Sequence, residues 1–91
     1  MKSVLIVNEN KLQRKAVGHL FLKLHCTVFE ASNGDEAKHV ITANNIDLAL
    51  IDLQKSSLDG FTLHRWISNK NIHRDIPIII SSSEEQTSFA F

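Results

Sequence analysis

The chain has 91 residues, 43% of them hydrophobic and 22% charged, the proportions of an ordinary globular domain. Ten basic and ten acidic side chains cancel to a formal net charge of zero, which argues against an electrostatic grip on nucleic acid or on an anionic membrane. A lone cysteine, Cys26, excludes an intrachain disulfide and points to a reducing, cytoplasmic setting.

No apolar run approaches a membrane span, and the stretch in MKSVLIVNENK is too short for the apolar region of a signal peptide. One domain over residues 1–91 is expected, with the modest core of a short chain. The first element is Val4-Leu5-Ile6-Val7, a continuous apolar run that fits a strand buried on both faces. Lys11 to His25 follows as a helix, with Leu12, Val17, Leu20, Phe21 and Leu24 as its apolar stripe. Thr27 to Ala31 reads as a second strand, and Ser32-Asn33-Gly34 as a turn and helix N-cap. Ala37, Val40 and Ile41 carry a second helix that ends near Asn44-Asn45. Ile46 to Ile51 is a third strand ending on Asp52, and Leu53 to Gly60 a loop. Phe61, Leu63, Trp66 and Ile67 mark a third helix, and Asn69 to Asp75 is polar and irregular. Pro77 opens a fourth strand, Ile78-Ile79-Ile80, which runs into Ser81-Ser82-Ser83. Ser83 and Gln86 have the spacing of a capping box, so a fourth helix is expected there.

Strand and helix alternate throughout, which implies a parallel sheet with right-handed crossovers and helices on both faces. In such sheets ligands and chemistry gather at the carboxyl ends of the strands. Asn8-Glu9, Asp52 and Ser81-Ser82-Ser83 all fall there. Oxygen anions on neighbouring strand ends suit Mg²⁺, which accepts a few carboxylates and keeps several waters. A carboxylate also attacks phosphoryl groups to form an acyl phosphate, and a cation offsets the repulsion between the two anions. Asp52 as acceptor, Glu9 as metal ligand and Ser82 as phosphoryl contact make a coherent set. Polar residues also end most strands, so Asn8, Asp52 and Ser82 would serve equally as loop starts or helix caps.

The segments VLIVNEN, FEASNGDEA, LALIDLQKSSLDGF and RDIPIIISSS together resemble a response-regulator receiver domain, over essentially the whole chain. The resemblance implies a flavodoxin-like α/β/α fold of three layers with parallel sheet order 2-1-3-4. It implies a phosphoacceptor at Asp52, an acidic pair at Asn8-Glu9, a switch hydroxyl at Ser82 and a metal-ligating backbone carbonyl at Gln54. Asn8 would then reach the metal through water. A Pro that often follows the acceptor is replaced by Ser56, while Leu58-Asp59-Gly60 keeps its place. The implied role is signal transduction in a two-component phosphorelay. The phosphoryl group would come from a histidine kinase or phosphotransfer protein, and the chain would not be an enzyme beyond accepting it.

Three departures stand out. Asn8 removes one charge from the pair, and Glu9 carries an extra methylene. The chain stops at Phe91 within the expected fourth helix, short of the family's fifth strand with its essential lysine and of its final helix. They support an alternative, a pseudo-receiver acting as a phosphorylation-independent interaction or dimerisation module. The last leaves Ile78–Ile80 as an apolar edge, so either the chain is a fragment or a homodimer or partner chain is expected to cover it.

Other signals are weaker. His73-Arg74-Asp75 spells a kinase triplet, but neither its downstream Asn pattern nor a glycine-rich loop accompanies it. No two of the five histidines have metal-ligand spacing on one helix face. His64 is expected as a half-buried packing residue, Trp66 as partly exposed and Cys26 as an inert, partly buried thiol.

Overall fold

The structure is a computed structural model that describes residues 1–52, 57–69 and 76–80. Its elements are β1 (Ser3–Asn8), α1 (Lys11–Lys23), β2 (Thr27–Ala31), α2 (Gly34–Ala43), β3 (Leu48–Asp52), α3 (Ser57–Asn69) and β4 (Ile78–Ile80). The four strands are parallel in the order β2-β1-β3-β4, the expected flavodoxin-like arrangement. The expected helix at Ser83, the Phe89 and Phe91 side chains and the His73-Arg74-Asp75 triplet lie outside the described residues.

Alternation along the strands sorts their side chains between two faces. Leu5, Val7, Ala31, Ala49, Ile51, Ile78 and Ile80 point to one side. There they form a buried core with Ala37 and Ile41 of α2 and Leu63 and Ile67 of α3. Val4, Ile6, Val28, Glu30, Leu48, Leu50 and Ile79 point to the other, in matching register. Helix α1 packs on this second face, against β1 and β2. Gly18 makes the approach close: a Cβ there would stand 3.3 Å from Val28 Cγ1.

Several boundaries differ from those expected, each for a local reason. α1 ends at Lys23, not His25. The Cys26 N–H donates to the Phe21 carbonyl at 3.0 Å and the His25 N–H to the Leu22 carbonyl at 2.9 Å. This is a Schellman closure, and it sets His25 at φ 64, a left-handed conformation that Gly adopts more readily. β3 starts at Leu48, because Asp47 is used otherwise: its Oδ2 accepts the Ser3 N–H at 2.7 Å. α3 begins at Ser57, so the last four residues of the expected loop are its first turn. Gly60 is buried there beside Ile51 and Ile80.

The larger correction concerns the α1 stripe. Leu12, Leu20 and Leu24 are 83%, 60% and 69% exposed, and Gly18 is the only buried residue of the helix. Among the described residues, α1 is the helix that packs on this side of the sheet, against β1 and β2. α2 starts as expected: Asn33 caps it by accepting the Glu36 N–H at 2.9 Å, and Glu36 in return accepts the Ser32 N–H at 2.7 Å. His64, Trp66 and Cys26 are all half-buried, as expected.

Candidate functional site

Asn8 and Asp52 end adjacent strands and are register partners. Both fall on the face that carries α1, by the alternation that buries Val4 and Ile6 there. One oxygen of Asp52, Oδ1, is buried and has no hydrogen-bond partner among the described residues. Burying a carboxylate oxygen without a partner is costly, so an orphan of this kind marks a place where a cation or donor belongs.

Asn8 is 4% exposed and tied to the start of α1. Its Oδ1 accepts the Asn10 N–H at 2.8 Å, and its Nδ2 donates to Gln13 Oε1 over a long 3.4 Å. Asn10 is the N-cap, its Oδ1 accepting the Gln13 N–H at 3.0 Å. Asn8 therefore positions the loop between β1 and α1, with its one acceptor oxygen already engaged.

Glu9, next in the chain, lines a cleft of about 280 Å³ with Asn33, Gly34, Asp35, Lys38, Thr62 and Leu63. The Lys38 ammonium stands 5.4 Å from the Trp66 ring centroid and ties α2 to α3 there. The structure thus sets Asn8 beside Asp52 and places Glu9 at the wall formed by α2 and α3. Gln54 and Ser82 lie outside the described residues. Among the described residues, no group of three or more acidic, His or Cys side chains is placed to hold a metal ion.

Sequence reasoning missed a charge cluster at the same end of the sheet. Arg14 donates from Nε to Glu30 Oε1 at 2.9 Å and from Nη1 to the Asn8 carbonyl at 2.9 Å. Lys15 reaches Glu30 Oε2 at 3.0 Å. Burial pushes the Glu30 carboxyl up, but the hydrogen bonds and charges of Lys15 and Arg14 outweigh it, and the net shift is downward. Glu36 is also lowered, chiefly by the Ser32 backbone N–H and hydroxyl. The signal was available: once β2 neighbours β1, Glu30 shares a face with Ile6, and α1 crosses above it.

Residues 4–91 match the family described as the response regulator receiver domain. The chain belongs to that family. As a receiver domain it is a signalling module of two-component systems. It is 39% identical over 80 residues to a gliding motility regulatory protein of Myxococcus xanthus, covering 88% of this chain and 10% of that protein. The chain thus spans about a tenth of that relative. A CheY-like receiver domain from Methylobacillus flagellatus superposes with a TM-score of 0.83 at 18% identity, over 93% of this chain and 72% of that one. The response regulator TrrA of Thermotoga maritima, solved in complex with Mg²⁺-BeF, gives 0.81 at 24% identity with the same coverages. No helix among the described residues is long and apolar enough to cross a membrane.

Proposed function

We propose that this receiver domain accepts a phosphoryl group on Asp52 from a phosphohistidine of a histidine kinase or phosphotransfer protein, and so switches a partner or output. The observation that carries the reading is the orphaned Oδ1 of Asp52 at the end of a central strand. A loop-starting or capping aspartate spends its oxygens on backbone N–H groups; this oxygen has no such partner among the described residues. In the transfer, a carboxylate oxygen of Asp52 attacks phosphorus, the bond from phosphorus to the imidazole nitrogen breaks, and the imidazole leaves with the electron pair. Ser82, by the family resemblance, meets the transferred group.

The donor set is all oxygen and includes a buried carboxylate oxygen with no partner among the described residues, which fits a hard divalent cation. Asp52 and Glu9 would hold Mg²⁺, with the Gln54 carbonyl and, through water, Asn8. When bound it offsets the charge of the incoming phosphoryl group. Two carboxylates rather than three make this a weak site. Asn8 keeps α1's first turn in place, and Arg14 holds the Asn8 carbonyl, so the strand end stays fixed while Asp52 reacts.

The engaged Oδ1 of Asn8 favours a second reading, a pseudo-receiver that keeps the fold and binds partners or a second copy without phosphorylation. Intact-mass measurement separates the two. Incubation with acetyl phosphate and Mg²⁺ should add one phosphoryl group, and Asp52→Asn should abolish it. A folded sample that gains no mass would overturn the phosphoacceptor reading.

A further inference from the structure

Glu9 lies between two fixed peptide planes. Along β1, the Lys2 carbonyl accepts the Thr27 N–H at 2.8 Å and the Ser3 carbonyl accepts the Asp47 N–H at 2.8 Å. Even-numbered carbonyls of β1 therefore face β2, and odd-numbered ones face β3. The Asn8 carbonyl thus points along the line of β2. That strand pairs with β1 only as far as Ala31, opposite Val7, and the chain then turns into the α2 cap at Asn33. Arg14 supplies the donor from α1 instead, its Nη1 reaching the Asn8 carbonyl at 2.9 Å. This bond holds the peptide between Asn8 and Glu9. The next peptide, between Glu9 and Asn10, is held by its own N–H, which donates to Asn8 Oδ1 at 2.8 Å. With a planar unit fixed on each side, both backbone dihedrals of Glu9 are set.

Arg14 is itself held at several points. Its N–H donates to the Asn10 carbonyl at 2.9 Å, and its Nε donates to Glu30 Oε1 at 2.9 Å. The side chains of Arg14 and Glu30 are 14% and 27% exposed, so water screens the pair only in part. Lys15 takes the other oxygen of Glu30 at 3.0 Å. A planar guanidinium can hold a carboxylate with one nitrogen and a carbonyl with another in one rigid geometry, which a single ammonium does not reproduce.

We propose that Arg14 is a positioning residue for Glu9: braced against Glu30, it pins the Asn8–Glu9 peptide and so presets the backbone from which the Glu9 carboxylate meets Mg²⁺ beside Asp52. This rests on the reading that Glu9 and Asp52 hold that ion. The charge of Arg14 works in the opposite sense, because a cation near the site repels Mg²⁺. Position and charge therefore predict opposite signs for the same substitution. Ordering one residue's backbone in advance is worth a factor of about ten in affinity, and partners that orient metal ligands commonly matter by about 10–100-fold.

Isothermal titration calorimetry of the whole chain with Mg²⁺ tests the assignment. Arg14→Gln should weaken binding by about tenfold, although it removes a cation. Arg14→Lys keeps the charge and loses the fork, and should weaken binding as far or further. Gln and Lys are close to Arg in helix propensity, so both variants should keep the parent's circular dichroism spectrum. Lys15→Gln leaves the Arg14 bond to Asn8 in place and should change the affinity by less than about twofold. With acetyl phosphate, the Arg14 variants should need about tenfold more Mg²⁺ for half-maximal adduct formation and approach the parent's rate at saturation, a split that a loss of stability alone does not produce. Binding by Arg14→Gln as tight as the parent's, or tighter, would overturn the proposal, and so would full affinity in Arg14→Lys. A parent that binds Mg²⁺ and gains no phosphoryl group would sink phosphoacceptance at Asp52 while the calorimetry still decides the role of Arg14. A parent that binds no Mg²⁺ would overturn the metal site and the role of Arg14 together.

Discussion

Asn8→Asp restores a carboxylate at the position where the receiver family usually carries one, and the register predicts what this does. Asn8 and Asp52 are partners on adjacent strands, about 4.8 Å apart. Two like charges at about 5 Å repel by about 3 kcal/mol at an effective dielectric of 20. Asp52 is only half-buried, and solvent screening reduces this to about 1–2 kcal/mol. The substitution keeps an oxygen for the Asn10 N–H and loses only the long 3.4 Å bond to Gln13, a small term at that length. In EDTA the variant should therefore unfold at lower urea than the parent. Mg²⁺ relieves the same repulsion, so its affinity should rise by about tenfold for each 1.4 kcal/mol recovered. Saturating Mg²⁺ should then restore or exceed the parent's midpoint. Urea titrations with and without Mg²⁺, and isothermal titration calorimetry, read both effects. If neither the EDTA midpoint nor the Mg²⁺ affinity moves, Asn8 and Asp52 do not share a site and the metal reading fails with them.

His25→Gly removes a side chain from a left-handed position inside an intact Schellman closure, and should raise stability by about 0.5–1 kcal/mol in urea titration. Glu30→Gln should cost about 1 kcal/mol at neutral pH, because it unpairs Arg14 and Lys15 at a partly exposed site. Glu30 sits below its ordinary 4.5, so its pairing contributes fully above that value and is lost as pH falls through the lowered folded value. Glu30→Gln should accordingly flatten the acid limb of the stability curve below about pH 4.5, and an equally steep limb would show that Glu30 is not its source. Asp52→Asn replaces a buried carboxylate oxygen that has no partner among the described residues with a neutral amide. It should stabilise the metal-free fold by about 1 kcal/mol while abolishing the phosphoryl adduct.

How much of this was legible in the sequence depends on whether a signal is local or needs a partner. Val4–Val7 reads correctly as a doubly buried strand because four consecutive apolar residues leave no polar face. Asn33 reads correctly as a cap because a capping side chain bonds only three residues ahead. The end of α1 was misplaced, since nothing in Leu24-His25-Cys26 offers the glycine that usually announces a left-handed stop. Asp47 looked like part of a strand because its real partner, the Ser3 N–H, is 44 residues away. At the site, the spacing of Asn8, Glu9 and Asp52 suggested one acidic pocket. Strand parity sets Asn8 beside Asp52, and Glu9, just past the strand, lines the cleft with α2 and α3. Parity of this kind can be worked out from a sequence once the strand order is fixed. The α1 stripe is the instructive failure: periodicity reports that a helix has an apolar side, not that something covers it. Val17 and Phe21 are partly buried, while Leu20 and Leu24 are exposed among the described residues. A stripe wider than the surface beneath it therefore points to one more packing element than the described residues supply.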